Sequence, residues 1–195
     1  LNITENDLTN INLSQNLLLK TLRCSYNLLN SIDISNNLLL EIFMCSENQI
    51  SSLNLINNNQ LTYLSCGYNQ LTFLDLSNNT QLGVLVCHHN YINSLDLNNN
   101  SFSNSPIDIL YPFINCSYNN LSVLKIQNGN NGLLNGVITN NTTLRFNATN
   151  NPNLTCIYVD DVANCSANWL GVDSSSHFVS TTQECEALAT EGFDL

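Results

Sequence analysis

Aromatic and imidazole side chains recur at one position of this sequence, each directly before an asparagine. Tyr26, Tyr68 and Tyr118 occupy that position, and His89 occupies it between the last two tyrosines, with His88 beside it. Flat rings of this kind can stack on sugar faces or pack against a protein partner. These five residues are therefore one candidate ligand-binding set.

A second candidate set lies next to the recurring cysteines, at alternate positions that would face outward if the cysteines face inward. It is mostly apolar, which is unusual for a solvated surface and typical of a binding site. The alternative is that aromatic and β-branched residues only pair across strands and favour sheet formation. Both interpretations stay open for Arg23, Ile42, Met44, Tyr63, Val84, Val86 and Phe113.

Catalysis requires a nucleophile, a base and a pocket that holds them together. The chain has three histidines, the adjacent pair His88 and His89 and the distant His177, and it lacks the metalloprotease, nucleophile-elbow, P-loop and dinucleotide-binding motifs. We therefore predict that the protein is not an enzyme and needs no cofactor.

The elements that position these residues form a 21-residue repeat, clearest in residues 61–100, where Cys66 and Cys87 are equivalent. Each repeat carries two apolar-x-apolar triplets, ten and eleven residues apart. Alternation within a triplet is the period of a strand. We therefore predict a repeat solenoid, mostly strand and loop, with a parallel sheet on each side. Sheet A carries the cysteine triplets, such as Leu64–Cys66, and sheet B the Asp-Leu triplets, such as Leu74–Leu76.

Predicted sheet A strands lie at 1–3, 22–24, 43–45, 64–66, 85–87, 114–116 and 144–146. Predicted sheet B strands lie at 11–13, 32–34, 53–55, 74–76, 95–97, 124–126 and 157–159.

The repeats form an array over residues 1–155, with insertions at 98–113 and 127–143 on the same connection of adjacent coils, where they should lie side by side. The first insertion could make a helical turn after Pro106, and both could be tolerated loops or a recognition ridge. Residues 156–185 should cap the open end of the array, and 186–195 should form an acidic tail or linker.

The cysteines divide into two groups. Cys24, Cys45, Cys66 and Cys87 recur every 21 residues and Cys116 continues the series, so we expect an inward column of packed thiols and no metal site. Cys156, Cys165 and Cys185 lie outside this column, and in an exported protein one disulfide is expected among them.

The carboxylates offer no recognised metal site. The outward positions of sheet B read Asn12, Asp33, Asn54, Asp75, Asp96 and Lys125, which suits a solvated face, with weak cation binding as the alternative. Asp160, Asp161 and Asp173 in the predicted cap lack the spacing of a calcium loop, although calcium there stays an open alternative.

Charge limits the possible partners. The net charge is -11, with only Lys20, Arg23, Lys125 and Arg145 positive, which argues against nucleic acid and anionic membranes. No run of about 18 apolar residues is present, and the start has no basic segment before an apolar core, so we predict neither membrane insertion nor a signal peptide in this sequence. The chain starts in mid-pattern, as expected for an excised or processed piece of a longer array.

The unit LxxLxCxxNxLxxLDLSNNxx resembles the nested, 21-residue leucine-rich repeat of secreted and surface proteins of bacteria, over residues 1 to about 160. The segment NPNLTCIYVDDVANCSANW resembles the C-terminal cap of such arrays in proteins exported by the type IX route. The resemblance implies an interaction scaffold, an extracellular or cell-surface location, and a disulfide between Cys156 and Cys185.

Three hypotheses for function follow. The first is a non-enzymatic module that binds a protein partner through the outer face of sheet A and the neighbouring insertions. The second is a carbohydrate-binding module that uses the tyrosines and His89 to contact an extracellular glycan. The third is a spacer that holds another domain away from the cell.

Overall fold

The structure, a computed structural model, describes residues 1–103, 112–136 and 144–191, with side chains up to residue 188. The strands form two parallel sheets: sheet A in the order β1-β2-β3-β4-β6-β8, and sheet B in the order β10-β9-β7-β5. The protein is a β-solenoid of leucine-rich repeats, which confirms the predicted fold class. In chain order the elements are β1 (Thr21–Arg23), β2 (Ile42–Met44), β3 (Tyr63–Ser65), β4 (Val84–Val86), β5 (Ser94–Asp96), β6 (Phe113–Asn115), β7 (Val123–Ile126), a 3-10 helix (Asn131–Leu134), β8 (Phe146–Asn147), β9 (Cys156–Val159), α1 (Val162–Asn168), β10 (His177–Val179) and α2 (Thr182–Glu191).

Sheet A keeps one register across its strands. The middle residues of β1, β2 and β3 (Leu22, Phe43 and Leu64) lie opposite one another, and Leu85, Ile114 and Phe146 continue the row. All six are buried because their side chains point into the tube. Apolar burial of this kind is the main favourable contribution to folding.

The cysteine column follows the middle residues by two positions, on the same inward face. All five members are free thiols and are buried, as the 21-residue spacing predicted. Each lies among leucine, isoleucine and phenylalanine side chains of one core, so the thiols serve as small apolar groups. The members are Cys24, Cys45, Cys66, Cys87 and Cys116.

An asparagine closes each turn after sheet A and links neighbouring coils. The amide nitrogen of Asn69 donates to the carbonyls of Cys45 (3.0 Å) and Cys66 (3.1 Å), and its side-chain oxygen accepts the N–H of Ile50 (2.9 Å). The bond to Ile50 satisfies a buried N–H that would otherwise have no partner, and the Cys45 and Cys66 carbonyls each accept a second amide, from Asn48 and Asn90. The same arrangement repeats at Asn27, Asn48, Asn90, Asn119 and Asn151.

The residue before each of these asparagines has a left-handed backbone, which the sequence analysis did not predict. The φ angle there is 56° at Tyr26, 51° at Tyr68 and 53° at both His89 and Tyr118. Non-glycine residues adopt this conformation uncommonly, at a cost of about 1–3 kcal/mol each. The turn hydrogen bonds of the asparagines offset that cost.

Sheet B differs from the prediction in its first half. Residues 11–13, 32–34, 53–55 and 74–76 form turns and extended segments without strand pairing, and sheet B begins at β5. The predicted strands there were wrong, because asparagine side-chain amides link these segments and no strand pairing joins them within residues 1–93. The Ile34 carbonyl accepts both the N–H of Asn37 (3.0 Å) and the side-chain amide of Asn58 (3.1 Å), which together occupy its two lone pairs.

The Leu55 carbonyl likewise accepts two hydrogen bonds, from the N–H of Asn58 and the side-chain amide of Asn79. At Leu97 the carbonyl again accepts an N–H, from Asn100 at 3.1 Å, while the Leu97 N–H donates to the Lys125 carbonyl at 2.8 Å. On this side of the tube, backbone pairing thus links the coils from β5 onward, and asparagine amides link the coils before it.

The C-terminal elements close the end of the array and extend sheet B. Strand β9 pairs with β7, and β10 pairs with β9. Trp169 is buried against Phe146, with ring centroids 4.2 Å apart, and its indole N–H donates to Asn135 at 3.0 Å. The Cys156–Cys185 disulfide is present, whereas Cys165 is a buried free thiol. Helix α2 runs from Thr182 to Glu191, so the backbone expected to start a tail at residue 186 is helical.

The two insertions meet at their described ends. The side-chain amide of Asn128 donates to the Asn100 carbonyl (2.8 Å), and that of Asn130 donates to the Ser101 carbonyl (2.9 Å). The helical turn expected after Pro106 lies outside the described residues. Within the described part of the chain, neither α-helix is long and apolar enough to cross a membrane.

Candidate functional site

The outer face of sheet A carries two rows of candidate residues. In the first row, Ile42 lies opposite Tyr63, Tyr63 opposite Val84, and Val84 opposite Phe113. The second row follows two residues later along each strand, and its members are Arg23, Met44, Ser65, Val86 and Asn115. Strand pairing therefore brings the second candidate set together as one surface, as the alternation predicted.

This surface is less exposed than predicted. Val84 is only 6% exposed, and Ile42, Tyr63 and Phe113 are half-buried. Parallel strands lie about 4.8 Å apart, so neighbouring large side chains cover one another. The prediction of a freely exposed apolar strip was wrong for Val84. The strip is a packed layer with accessible edges.

Electrostatics on this surface centre on Arg23, which is exposed. Burial raises the pKa of Tyr63, and the positive charge of Arg23 acts in the opposite direction. The tyrosine hydroxyl therefore stays protonated at neutral pH and can donate a hydrogen bond. One cation and one hydroxyl border an otherwise apolar layer.

The aromatic set forms a stack along the solenoid. The His89 ring lies between those of Tyr68 and Tyr118, with centroid distances of 4.1 and 4.2 Å and interplanar angles of 15° and 16°. Both faces of the imidazole are thus covered, so His89 cannot act as a platform for a sugar. Tyr26, more than half exposed, lies two coils before Tyr68, with Glu47 between them at the equivalent position.

The two adjacent histidines contact each other directly. Nδ1 of His88 lies 2.9 Å from Nδ1 of His89, with the ring planes at 81°. One nitrogen must donate and the other accept, so the pair shares one proton in this geometry. Burial lowers the pKa of His88, and the neighbouring His89 lowers it further.

Gly67 makes room for the His88 ring, a role that sequence reasoning missed. A Cβ at Gly67 would lie 3.1 Å from Cε1 and 3.2 Å from Nε2 of that imidazole. The signal was available in the repeat, since glycine in one coil and histidine in the next replace the small hydroxyl residues found at equivalent positions. Only the stacking of coils shows that the two changes are in contact.

The outward carboxylates Asp33 and Asp75 hydrogen-bond to groups of their own turns. Asp33 and Asp75 each accept the N–H two residues later, from Ser35 at 3.0 Å and Ser77 at 2.9 Å. The hydroxyl and then the N–H of Ser35 lower the pKa of Asp33, and the N–H and then the hydroxyl of Ser77 lower that of Asp75. Such Asx turns are local features of a solvated face. They give no support to the weak cation binding considered above.

The three carboxylates of the cap each bind different backbone N–H groups. Asp160 accepts the Gly129 N–H (2.7 Å), Asp161 caps α1, and Asp173 accepts the N–H groups of Asn150 (2.9 Å) and Asn151 (2.8 Å). Across residues 1–103, 112–136 and 144–188, no three His, Cys, Asp or Glu side chains are grouped so that they could hold a metal ion. Calcium in the cap therefore stays an unsupported alternative.

Comparisons with known proteins give a likeness of fold. No protein-family model matches the chain, and no curated protein matches it either. Among solved structures, a functional domain of InlJ from Listeria monocytogenes, described as including a cysteine ladder, is 22% identical, with a TM-score of 0.45 and coverage of 84% of this chain and 50% of that one.

An internalin (InlF) from the same species is 21% identical, with a TM-score of 0.48 and coverage of 83% of this chain and 40% of that one. The chain thus spans half or less of the length of these two structures. At this distance the likeness adds nothing to the site, and the assignment to the leucine-rich-repeat solenoids rests on the protein's own coils and sheets.

Proposed function

We propose that this chain is a non-enzymatic binding module that contacts a protein partner through the outer face of sheet A. The supporting observation is the unbroken register of β2, β3, β4 and β6, which makes one apolar layer of Ile42, Tyr63, Val84 and Phe113. A rigid sheet presents such a layer without the entropy cost of ordering loops. Arg23, Met44 and Val86 supply the accessible margin of the surface.

We also propose membership of the nested 21-residue leucine-rich-repeat family and an extracellular or cell-surface location. The 21-residue register of Cys24, Cys45, Cys66 and Cys87 supports the family. The Cys156–Cys185 disulfide supports export, since such bonds persist in oxidising compartments.

The domain limits 1–155, 156–185 and 186–195 stay predictions. Sheet B, which runs from β5 through β10, joins the first two of these segments structurally.

The test compares two variants on opposite sides of the tube. In Met44→Asp/Val86→Asp, two carboxylates enter the half-buried margin of the sheet A surface. In the matched control Phe73→Asp, a carboxylate replaces an exposed aromatic residue (62% exposed) outside sheet A. Each purified protein is applied to an array of purified extracellular proteins, and circular dichroism confirms folding.

Protein partners bound by the wild type should lose binding to the sheet A variant and keep binding to the Phe73 variant. Equal retention by the two variants, or loss only with Phe73→Asp, would rule out sheet A as the binding face. A glycan array run in parallel tests the carbohydrate alternative. The stacking of Tyr68, His89 and Tyr118 on one another disfavours that alternative, because it removes ring faces from solvent.

A further inference from the structure

We propose that His88 and His89 form a two-imidazole binding site for a first-row transition-metal ion, with copper(II) bound most tightly. The ligand atoms are the two Nδ1 nitrogens, and solvent water fills the other coordination positions. The site uses none of the residues assigned to the sheet A surface and does not depend on the proposed function.

The distance between the two nitrogens suits a chelate. They lie 2.9 Å apart, where they now share a proton. A metal ion bonded to both at about 2.0–2.1 Å would have an N–metal–N angle of about 90°, which is the angle between neighbouring ligands in square-planar or octahedral coordination. The ion would lie about 45° off the line between the nitrogens, so it can replace the shared proton once both rings turn to point their Nδ1 lone pairs at it.

The surroundings hold both rings near this geometry. His89 is clamped between the faces of Tyr68 and Tyr118, with centroid distances of 4.1 and 4.2 Å. His88 meets the edge of Tyr68, with a centroid distance of 5.1 Å, and fills the space over Gly67. Ligands that are already fixed lose little side-chain entropy when they bind, so the rings are preorganised for a metal ion.

The repeat itself marks this pair as a local departure. Counting two residues back from each coil-linking asparagine gives a small hydroxyl residue in four coils: Ser25, Ser46, Ser117 and Thr149. The two exceptions are Gly67 and His88, and they touch. The coil thus accommodates a second imidazole next to His89 through a compensating loss of side chain in the neighbouring coil.

The chemistry of the donors selects the class of ion. Neutral imidazole binds copper, nickel and zinc well, and affinity for a given nitrogen site is greatest for copper(II). Two nitrogens with open positions do not suit calcium or magnesium, which prefer oxygen ligands. Both side chains are partly exposed, so ions and water can reach the site. The net charge of -11 favours the approach of any cation.

The experiment titrates the metal-free chain, which carries no histidine tag, at pH 7.5. Calorimetry measures the binding of copper(II) and, in a separate titration, of zinc(II). Electron paramagnetic resonance of the copper complex reports the number of nitrogen ligands. The variants are His88→Gln and His89→Gln. His177→Gln is the matched control, because it removes an exposed histidine of the cap. Circular dichroism confirms that each variant is folded.

The wild type and His177→Gln should bind one copper ion with a two-nitrogen spectrum. Each of the other variants should bind about 100-fold more weakly, because the second ligand no longer acts within the same molecule. Unchanged affinity in both His88→Gln and His89→Gln, or a wild-type copper spectrum without two nitrogen ligands, would show that the imidazoles only share a proton. Either result would overturn the proposal.

Discussion

Individual buried thiols illustrate how packing sets chemistry at the scale of single residues. Burial raises the pKa of Cys24, Cys66 and Cys116 to about 12, because a thiolate would lose its hydration inside the apolar core. A thiol that cannot ionise is a poor nucleophile and a poor metal ligand. The cysteine column is therefore a packing device.

Stability should decrease as the pH rises from about 9 towards 12. In this range the thiols of the unfolded chain ionise, whereas those of the folded protein stay protonated. The folded-state pKa is raised, so the stabilisation is complete below pH 9 and is lost above it. Each thiol should contribute a slope of about 1.4 kcal/mol per pH unit, measured by urea unfolding at several pH values.

A water-soluble thiol reagent provides the control for this prediction. At pH 8 the thiols of the folded protein should react slowly with the reagent, whereas all six free thiols of the unfolded protein should react at once. Fast reaction of Cys66 in the folded protein, or stability that is flat between pH 9 and 11, would contradict the buried column.

Asn69→Ala should destabilise the protein by about 1–3 kcal/mol, because it leaves the Ile50 N–H buried without a partner and removes one of two amide donors from the Cys45 and Cys66 carbonyls. Urea unfolding measures the difference. Asn78→Ala, at an exposed position in the same coil pair, is the control and should change stability by less than about 0.5 kcal/mol. Equal effects of the two changes would mean that the amide bridges contribute nothing.

At the scale of elements, the cap closes the array by close contact of backbone segments. Gly171 forms a bridge with Asn147, and its carbonyl accepts the Ala148 N–H at 2.7 Å. A Cβ at Gly171 would collide with the Phe146 carbonyl oxygen and lie 2.9 Å from the Leu144 side chain. Only glycine lets the cap approach the last strand of sheet A this closely.

Gly171→Ala should therefore lower the free energy of unfolding by about 1–3 kcal/mol through forced separation of the two segments. Thermal unfolding followed by circular dichroism measures the loss. Gly132→Ala in the 3-10 helix is the matched control, because an added Cβ there meets open space and should be neutral or slightly stabilising. A neutral Gly171→Ala would show that the cap does not pack on Phe146.

The disulfide joins strand β9 to helix α2 across 29 residues of sequence. Replacing Cys156 and Cys185 together with serine should destabilise the cap by about 3–4 kcal/mol, because the unfolded chain regains the entropy of an open loop. Hydrogen exchange should show faster exchange in α2 and β10, with β2 and β3 unchanged. Uniform loss of protection throughout sheet A would instead mean that the cap and the array unfold as one unit.

At the scale of the whole molecule, the charge distribution governs which partners can approach. The net charge is -11 and only four side chains are Lys or Arg, so polyanions are repelled at low salt. The protein should pass through a heparin column at about 50 mM salt and be retained by an anion exchanger. Retention on heparin would reveal a basic surface that the composition does not indicate.

How far the sequence allowed prediction varies with the kind of interaction. Sheet A between residues 21 and 116, the cysteine column and the inward Leu64 and Leu85 followed from alternation, because inward and outward positions have a fixed period of two. The two end strands of sheet A were mispredicted: residues 1–3 form only an isolated bridge, and Phe146 lies opposite Ile114, where the prediction had Leu144. The sheet B strands before residue 94 were mispredicted, because the same apolar triplet also permits amide bridges such as that of Asn58. The disulfide partner of Cys156 came from the family resemblance, since three cysteines allow more than one pairing.

The repeat period, the inward apolar column, the solenoid fold and the net charge of -11 were determined by the sequence alone, because each depends on residue type and regular spacing. The stacking of His89 between Tyr68 and Tyr118, the space that Gly67 leaves for His88 and the reduced exposure of Val84 were decided only by the tertiary structure. These features depend on side chains from neighbouring coils, about 20–30 residues apart in sequence, which come within van der Waals contact only when the coils stack.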